Sequence, residues 1–402
     1  MSEWVVKNLD EVVEYFIDYR GKTPDKKDSG IPLITAKIVK DGRLNTATEF
    51  ISVEDYPLWM TRGYPEVNDV VLTTEAPLGE VALIKNKNVA LAQRIITLRG
   101  YKNILDNKFL KYWLQSEQGQ YELESRASGT TVFGIKSSIL KKIPIFLPPY
   151  NEQVTISSIL HCIDEKIDLL HRQNKTLESM AETLFRQWFI EEAQEDWKTY
   201  KLSDVSDIFI GRTPPRKETH WFSKDPKDIK WLSIKDMAES GIYRMSTAEY
   251  LPLTTIEKFK IPMIPENTVI LSFKMTVGRV GITSESMVSN EAIAQFRIKK
   301  IITKEFLYCF LKAFNYDALG TTSTIVTSIN SSLIRSMEFC IPNDSDHRIS
   351  NFTSITSPLF IKTMKNQEQI RSLSNLRNTL LPKLMSGEVQ VQYAEEAIAS
   401  VA

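Results

Sequence analysis

The feature that most constrains the fold is an internal repeat, because most of the chain is written twice in the same order. Residues 3–24 carry Trp, Leu, Val and Phe-Ile, then Gly, a basic residue, Thr and Pro, and residues 196–214 keep that order. Two further pairs of segments follow, 31–37 with 229–235 and 65–84 with 265–283. Self-similarity of this kind indicates two copies of one structural plan.

The repeat continues through each copy and indicates its fold class. Residues 92–99 match 290–297, residues 109–114 match 306–311, and each copy closes on a short apolar run, at 142–148 and 337–342. Short β-branched and aromatic runs bounded by Gly, Pro and Asn, with a few amphipathic stretches between them, are typical of strands mixed with helices. We therefore expect two tandem mixed α/β (α+β) domains, which suits a chain of 402 residues.

A long helix is expected after each copy. No Gly or Pro interrupts residues 153–191, where apolar residues recur at alternating steps of four and three, the period of a left-handed coiled coil. Residues 348–386 repeat this spacing less cleanly. The two stripes can be buried if the helices pair as an antiparallel coiled coil about a pseudo-two-fold axis; alternatively, each stripe is the core of its own domain. The expected seam is Ile156, Leu160, Ile163, Ile167, Leu170, Asn174, Leu177, Ala181, Leu184 and Trp188 in the first helix, and Ile355, Leu359, Lys362, Asn366, Ile370, Leu373, Leu376, Leu380 and Leu384 in the second.

Each seam contains one asparagine, Asn174 in the first helix and Asn366 in the second. In an antiparallel pair centred near Arg172 and Glu368, these two residues would face one another. A buried polar pair fixes the register of a coiled coil. The alternative is that one or both asparagines face solvent.

The composition argues against a membrane or secreted protein. No segment approaches the roughly 20 apolar residues that span a bilayer, and the first residues lack the pattern of a secretion signal, so we expect a cytoplasmic location. Cys162, Cys309 and Cys340 are isolated in sequence, which argues against a disulfide framework or a zinc ribbon. The formal net charge of +0 permits DNA binding only through local basic patches.

The sequence offers no convincing catalytic site. Gly-Lys-Thr at 21–23 resembles the end of a phosphate loop, but the residue five positions earlier is Phe16 rather than glycine. LPPY at 147–150 resembles the catalytic tetrapeptide of amino-methyltransferases, yet Leu147 cannot accept a hydrogen bond from a target amine. The four histidines are too scattered to share a metal. We expect no catalytic residue, metal or cofactor in this chain.

Three motifs combine with the duplication into a family resemblance. They are FLPPYNEQ (146–153) at the start of the first helix, LFRQWF (184–189) at its end and LLPKLMSGEV (380–389) at the end of the second. With them the chain resembles, over essentially its full length, the specificity subunits of type I restriction-modification enzymes. The resemblance implies that two target-recognition domains each read one half of a bipartite double-stranded DNA target, while the paired helices set the spacing.

The resemblance also implies partners and domain boundaries. Two methyltransferase (M) subunits and, in the full enzyme, two restriction (R) subunits would bind this chain, and S-adenosylmethionine, ATP and Mg would be bound by those partners. The second copy departs from the pattern, because Asp346 and His347 stand where Glu152 and Gln153 stand in the first, so both copies need not dock the methyltransferase equivalently. The implied boundaries are target-recognition domain 1 at 1–150, the first conserved helix at 151–195, target-recognition domain 2 at 196–345, the second conserved helix at 346–387 and a tail at 388–402.

If the two domains read DNA, base edges and phosphates must be contacted by basic, amide and hydroxyl side chains. Both copies offer these in loops after matched strands, although for any one of them a solvated surface role is equally open. The copies differ most at 26–30 against 216–228, which favours an asymmetric target. The candidates are Lys22, Thr23, Thr35, Lys37, Thr73, Thr74, Gln93, Arg94, Thr130 and Thr131 in the first copy, and Arg212, Thr213, Arg216, Lys217, Ser233, Lys235, Ser272, Lys274, Arg279, Asn290, Thr321 and Thr322 in the second.

Two other functions remain open at this point. A coiled-coil scaffold that assembles protein partners without nucleic acid would agree with the neutral charge. A stand-alone modification enzyme would need a cofactor loop, and the sequence contains no glycine-rich segment of that kind.

Overall fold

A computed structural model describes residues 4–129, 132–319, 329–342 and 347–388. The chain divides into two compact units, one formed by Met1–Ile167 with Ser372–Ala402 and the other by Asp168–Arg371. Each unit therefore contains one copy of the repeat together with part of both long helices. Within the described residues, no helix is both long enough and apolar enough to cross a membrane.

The first copy is built on a four-stranded antiparallel sheet of order β2-β10-β7-β8 and a three-stranded sheet of order β6-β3-β9, in which β3 and β9 are parallel. A ribbon of β1 and β11 joins the two ends of the copy. The strands are β1 (Val5–Asn8), β2 (Val13–Asp18), β3 (Ile31–Ile34), β4 (Val39–Lys40), β5 (Arg43–Leu44), β6 (Phe50–Ile51), β7 (Val70–Thr74), β8 (Leu78–Leu83), β9 (Ala90–Leu91), β10 (Ile95–Gly100) and β11 (Pro144–Leu147). The helices are α1 (Leu9–Val12), α2 (Asp55–Trp59), α3 (Asn107–Gln115), α4 (Glu117–Ser125) and α5 (Ser137–Leu140).

Burial explains why these segments become strands and helices. The whole of β7 is buried, and a strand covered on both faces is apolar without alternation, as its sequence VVLTT largely is. Helix α3 begins where Asp106 accepts a hydrogen bond from the Phe109 amide at 2.8 Å, an N-cap that satisfies one of the free donors of the first turn. Its FLKYWL stretch is buried, which places the copy's largest side chains beside the sheet.

The second copy follows the same plan, with a sheet of order β13-β20-β17-β18-β15, a second of order β16-β14-β19 and a closing ribbon of β12 and β21. Strands β14 and β19 are parallel, as β3 and β9 are. The predicted duplication is confirmed at the level of topology. The strands are β12 (Lys198–Lys201), β13 (Ser206–Ile210), β14 (Ile229–Leu232), β15 (Tyr243–Arg244), β16 (Glu249–Leu251), β17 (Val269–Ser272), β18 (Val280–Thr283), β19 (Val288–Ser289), β20 (Ile293–Ile298) and β21 (Glu338–Ile341). The helices that belong to this copy are α7 (Leu202–Val205), α8 (Leu253–Phe259), α9 (Lys304–Ala313) and α10 (Ser331–Arg335), with single 3-10 turns at Thr219–Trp221, Asp236–Ala238 and Tyr316–Leu319.

The two long helices are continuous, as the heptad spacing predicts. The first is α6 (Tyr150–Arg186), which ends in a π turn at Gln187–Glu191, and the second is α11 (Arg348–Met385). Between them lie α7 to α10. In the unit formed by Asp168–Arg371, Asn174 contacts Asn366 while Arg348 contacts Trp188, so the two helices run antiparallel there. In the other unit, Arg377 of α11 contacts Asp164 of α6.

The seam of α6 agrees with the heptad prediction through its first two thirds. Ile156, Leu160, Ile163, Ile167, Leu170, Asn174 and Ala181 are all buried, and Leu177 is half-buried. Beyond Ala181 the buried residues are Phe185 and Phe189, whereas the predicted Leu184 and Trp188 are only partly buried. A straight helix has 3.6 residues per turn, so its buried stripe drifts from a strict heptad by about 20° per repeat.

The predicted seam of α11 is wrong at two of its first three positions. Ile355 and Lys362 are exposed and Leu359 is half-buried, while Phe352, Thr356, Phe360 and Thr363 are buried in their place. The threonine hydroxyls donate to the carbonyl oxygens four residues earlier, at 2.8 and 2.9 Å, which removes the cost of burying them. From Asn366 onward the buried residues include the predicted Leu373, Leu380 and Leu384.

In the unit formed by Asp168–Arg371, the helix stripe also belongs to the core of the second copy. Phe185 and Phe189 lie 5.2 and 4.9 Å from the ring of Phe306 in α9, measured between ring centroids. Phe189 also packs edge-on against Phe352 of α11 at 5.4 Å. The two alternatives for the stripe are therefore both present in this unit, because the same residues pair the helices and close the domain core.

Candidate nucleic-acid interface

In each copy, a pair of parallel strands brings two loops to one edge of the three-stranded sheet. Strands β3 and β9 pair Ile34 with Leu91, and the Ala92 amide then donates to the Ile34 carbonyl at 2.9 Å. The second copy repeats this contact, because the Asn290 amide donates to the Leu232 carbonyl at 3.0 Å. Parallel strands end at the same sheet edge, so the residues that follow them become neighbours.

The Gly-base-Thr turn joins the same edge through its threonine. In the first copy the Thr23 hydroxyl donates to Gln93 Oε1 at 2.9 Å. In the second, the Thr213 hydroxyl donates to Glu291, which occupies the repeat position of Gln93. The structure therefore brings together three of the loops that the sequence analysis selected. Glu291 was missed there, although the alignment of the two copies points to it.

The backbone approach of this turn explains its glycine in the second copy. The Arg212 amide donates to the Ser289 carbonyl at 2.8 Å. A Cβ at Gly211 would collide with the carbonyl oxygens of Ser289 and Asn290. Only glycine allows the turn to lie this close to the end of β19.

The basic side chains at this edge of the first copy are exposed and weakly held. Lys37 lies 3.6 Å from Glu49, a carboxylate that also contacts Lys26 at 2.8 Å, and these lysines hold the pKa of Glu49 below its ordinary value. Arg94 pairs with Glu75 at 3.2 Å. Exposed pairs of this kind contribute about 0 to 1 kcal/mol, so a phosphate can replace the carboxylate at little cost. Lys22 is exposed and has no carboxylate partner within the described part of the chain.

Some of the predicted DNA contacts of the second copy are bonded to other residues within this chain. Arg216 lies over the rings of Phe222 and Trp231, each at 4.3 Å, and pairs with Glu249 at 2.8 Å. Ser233 donates to Asp236 at 2.6 Å. The structure therefore assigns Arg216 and Ser233 supporting contacts in their loops.

Other candidates of the second copy remain at the surface. Lys217 and Lys235 are exposed and have no carboxylate partner among the described residues. Arg212 is exposed and donates to the Phe259 carbonyl at 3.1 Å. Asn290 is half-buried, and its side-chain oxygen accepts from the Ala292 amide at 3.1 Å.

The structure removes four hydroxyl residues from the contact set, because Thr35, Thr73, Thr74 and Ser272 are buried. Thr73 accepts from the Glu80 amide at 2.9 Å, and Ser272 accepts from the Arg279 amide at 3.0 Å. These two hydroxyls occupy the same position in the two copies and close the same hairpin, β7–β8 and β17–β18. Their pattern in the sequence reflects this structural role.

The hairpins that these hydroxyls close differ in charge. Glu75 and Glu80 in the first copy occupy the positions of Lys274 and Arg279 in the second. Lys274 is exposed, whereas Arg279 is half-buried and donates to the Ile234 carbonyl at 2.9 Å. Four predicted contacts, Thr130, Thr131, Thr321 and Thr322, lie outside the described residues.

The motifs at the helix ends hold each copy to its helices. In the first copy Trp4 donates to Glu152 at 3.3 Å, at the start of α6, and its ring lies beside Gly387 at the end of α11. In the second copy Trp197 packs against Phe189, at a centroid distance of 6.1 Å, and Arg348 lies over its ring. The matching tryptophans thus perform the same task in both copies.

The FLPPYNEQ motif (146–153) has a specific structural role in the first copy. The buried Gln153 donates to the carbonyls of Ile104 and Pro148 at 3.0 and 2.9 Å and accepts from the Asp106 amide at 3.0 Å. In the second copy the corresponding residue, His347, is exposed. The departure noted in the sequence therefore changes how the second copy meets its helix. Asp346 lies outside the described residues.

Two polar clusters lie within the helix seams. In the first unit, Asp164 accepts from Lys111 at 2.6 Å, Tyr112 at 2.8 Å and Arg377 at 3.1 Å. Burial raises the pKa of Asp164, but these three partners together lower it by more, so the pKa lies below its ordinary value. The sequence analysis did not single out this cluster, because its members come from three separate segments of the chain.

The second polar cluster is the asparagine pair predicted from the heptads. Asn366 Nδ2 donates to Asn174 Oδ1 at 2.8 Å and to Gln173 Oε1 at 3.2 Å, and both asparagines are buried. The predicted contact between them is confirmed. Neither faces solvent. Within the described residues, no group of three or more His, Cys, Asp or Glu residues could hold a metal ion.

A duplicated mixed α/β domain whose copies present matched loops, each held to the same two antiparallel helices, defines a tandem recognition protein. The chain belongs to the family described as the type I restriction modification DNA specificity domain, which matches residues 1–179 and 194–371. This membership favours DNA specificity over the scaffold alternative.

Individual relatives extend over nearly the whole chain. The type I restriction enzyme MjaIX specificity subunit of Methanocaldococcus jannaschii is 25% identical, over 97% of this chain and 94% of its own. The HindI specificity subunit of Haemophilus influenzae is 21% identical, over 75% of this chain and 82% of its own. The crystal structure of a type I restriction-modification system S subunit from M. genitalium covers 95% of this chain and 96% of its own, with a TM-score of 0.58 and 17% identity, which supports the fold.

Proposed function

We propose that this chain is the non-catalytic DNA-reading subunit of a type I restriction-modification complex. Each copy reads one half of an asymmetric, bipartite duplex target, and the paired helices set the spacing between the halves. The observation that carries the proposal is the matched edge of the two copies, where the same three loops meet at one edge of the three-stranded sheet. The same Thr contact, Thr23 to Gln93 and Thr213 to Glu291, supports loops whose exposed residues differ between the copies.

The chemistry of the matched edges suits a duplex. Exposed basic side chains such as Lys22 and Lys235 can neutralise phosphates, and each phosphate contact releases bound counterions. Amide and guanidinium groups, such as those of Gln93 and Arg212, can bond to base edges in the major groove. A neutral protein can bind DNA in this way because its basic residues act locally.

The proposal includes partners and excludes catalysis from this chain. Two methyltransferase subunits and, in the full enzyme, two restriction subunits would assemble on it in the cytoplasm, and S-adenosylmethionine, ATP and Mg would be bound by those subunits. Gln153 is buried and hydrogen-bonded whereas His347 is exposed, so the two helices begin differently, which supports two unequal docking positions. A titration of S-adenosylmethionine into the isolated chain should show no binding, and saturable binding would contradict this part.

The central experiment maps modified adenines in the genome of cells that express this chain with its methyltransferase. The expected motif has two different halves separated by a fixed number of unread base pairs. A continuous or palindromic motif would contradict the proposal.

A binding assay tests the local role of the matched edge. Lys22→Ala should weaken binding of the complex to its duplex and reduce the salt dependence, because one phosphate contact is lost. Lys175→Ala, at an exposed position of α6, is the matched control and should change neither quantity. Equal effects of the two variants would show that Lys22 has no specific contact.

A further inference from the structure

The loop between β17 and β18 presents an unusual apolar side chain at the surface. Met275 is 78% exposed, a higher fraction than any other large hydrophobic residue in the described ranges, with Leu58 next at 75%. Because its side chain is exposed, Met275 contributes little to the stability of the free protein through apolar burial. Met275 lies at the end of a hairpin that also carries the predicted DNA contacts Lys274 and Arg279, so its side chain is available for an apolar contact with a ligand.

The backbone holds Met275 at the apex of a tight and strained turn. Its φ angle is +64°, in the left-handed region that non-glycine residues seldom adopt. The Thr276 amide donates across it to the Lys274 carbonyl at 2.7 Å, and the Ser272 hydroxyl donates to the Thr276 carbonyl at 2.6 Å. These hydrogen bonds hold the backbone of Met275 in this conformation at the apex of the turn.

The residues next to Met275 are suited to nucleic acid. Lys274 is exposed and has no carboxylate partner within the described part of the chain. Next to a basic residue that can hold a phosphate, an apolar tip can reach the only apolar group that a base pair displays in a groove, the C5-methyl of thymine in the major groove.

Resting on the proposed function, we infer that Met275 is a specificity-determining residue that contacts a thymine methyl group in the half-site read by the second copy. The flexible, polarisable thioether chain packs well against small apolar groups. The contact favours thymine over cytosine at that position, because cytosine has no methyl group at C5.

The first copy lacks this contact. Its equivalent residue is Ala76, which adopts a similar left-handed φ of +47° but has only a methyl side chain. The preceding residue is Glu75, paired with Arg94 at 3.2 Å, where the second copy has Lys274. The two hairpins therefore present different chemistry from the same backbone position.

The first copy also supplies the test variant. Met275→Ala reproduces the residue that the first copy carries in this conformation, so the turn is retained while the long side chain is removed. The experiment uses the complex of this chain with its methyltransferase and the duplex motif mapped as above. Each thymine of the second half-site is replaced by uracil in turn, which removes only the C5-methyl group.

We expect one uracil substitution to weaken wild-type binding about fourfold, the effect of losing one buried methylene-sized group. Met275→Ala should bind the unmodified duplex about fourfold more weakly and should be insensitive to the same uracil. Leu58→Ala, which removes an equally exposed apolar side chain from the first copy, should keep wild-type affinity and wild-type sensitivity to uracil. Unchanged thermal midpoints will show that all variants are folded.

The outcomes separate this inference from the proposed function. A second half-site without thymine, or a Met275→Ala complex that keeps its sensitivity to uracil, overturns the inference while the proposed function stands. A wild-type complex that does not bind duplex DNA selectively overturns the proposed function, and the inference with it.

Discussion

The asparagine pair allows a quantitative test of how the two helices are aligned. Asn366 is 1% exposed and its Nδ2 bonds to Asn174, while its Oδ1 has no partner among the described residues. Replacing Asn174 alone by leucine leaves a buried amide with one bond fewer, at a cost of about 1 to 3 kcal/mol. Replacing both by leucine removes both amides, so neither is left without its partner, and buries two apolar side chains. This change should be neutral or stabilising.

The expected shifts are large enough to measure by differential scanning calorimetry. For a unit about 200 residues long, 1 kcal/mol corresponds to roughly 2 to 4 °C in the thermal midpoint, so either single Leu variant should lose about 2 to 12 °C. The double variant should return to the wild-type midpoint or exceed it. Asn351→Leu, at an exposed position of α11 in the same unit, is the control and should shift the midpoint by little.

The double variant also tests register. A buried polar pair holds one alignment because any shift leaves amides unpaired, whereas leucines pack in several alignments. We expect the double variant, with its methyltransferase, to modify targets whose spacer is one base pair longer or shorter more readily than wild type does. The reasoning would be refuted if the double variant lost as much stability as the two single variants together. An unchanged spacer preference in the double variant would refute it as well.

Three further predictions follow from other contacts. Asp164→Asn should destabilise the first unit by on the order of 3 kcal/mol at neutral pH. Because folding lowers the pKa of Asp164, the stability that its carboxylate contributes is present above the unfolded pKa of about 3.9 and is lost below it. The thermal midpoints of wild type and variant should therefore converge as the pH falls below about 4. Thr73→Val should lower stability by about 1 kcal/mol and leave DNA affinity unchanged, and the opposite result would restore Thr73 to the contact set. Lys274→Glu should weaken binding to the second half-site only and lower the salt slope by about one, measured with duplexes in which one half is scrambled; equal loss with both duplexes would contradict the assignment.

The duplication and the long helices were predictable because both leave periodic signals. The repeat shows which strands correspond, and the heptad spacing alone predicts that Asn174 faces Asn366. The early seam of α11 was not predictable from apolar spacing, because Thr356 and Thr363 are buried with their hydroxyls bonded to their own helix. A polar residue whose partner is its own backbone has no signature in the sequence.

The candidate interface was predictable by loop and less so by residue. The matched blocks selected Thr23 and Gln93 separately, but the hydrogen bond between them was not predictable, because it depends on how the turn after β2 packs beside the end of β9. The same blocks suggested Thr73 and Ser272, whose repetition reflects the closure of a hairpin rather than contact with a ligand. Repetition reports any role that both copies share, and burial is needed to separate structural from recognition roles.

The reversal of charge between Glu75 and Lys274, and between Glu80 and Arg279, has a kinetic consequence. We expect the second hairpin to attract DNA more strongly than the first, so electrostatic steering should favour an encounter that begins at the second copy. Steering of this kind weakens as salt increases, because the Debye length is about 10 Å at 0.1 M. The order in which the two half-sites are engaged would then be set by the ionic strength of the solution as well as by the bases that they contain.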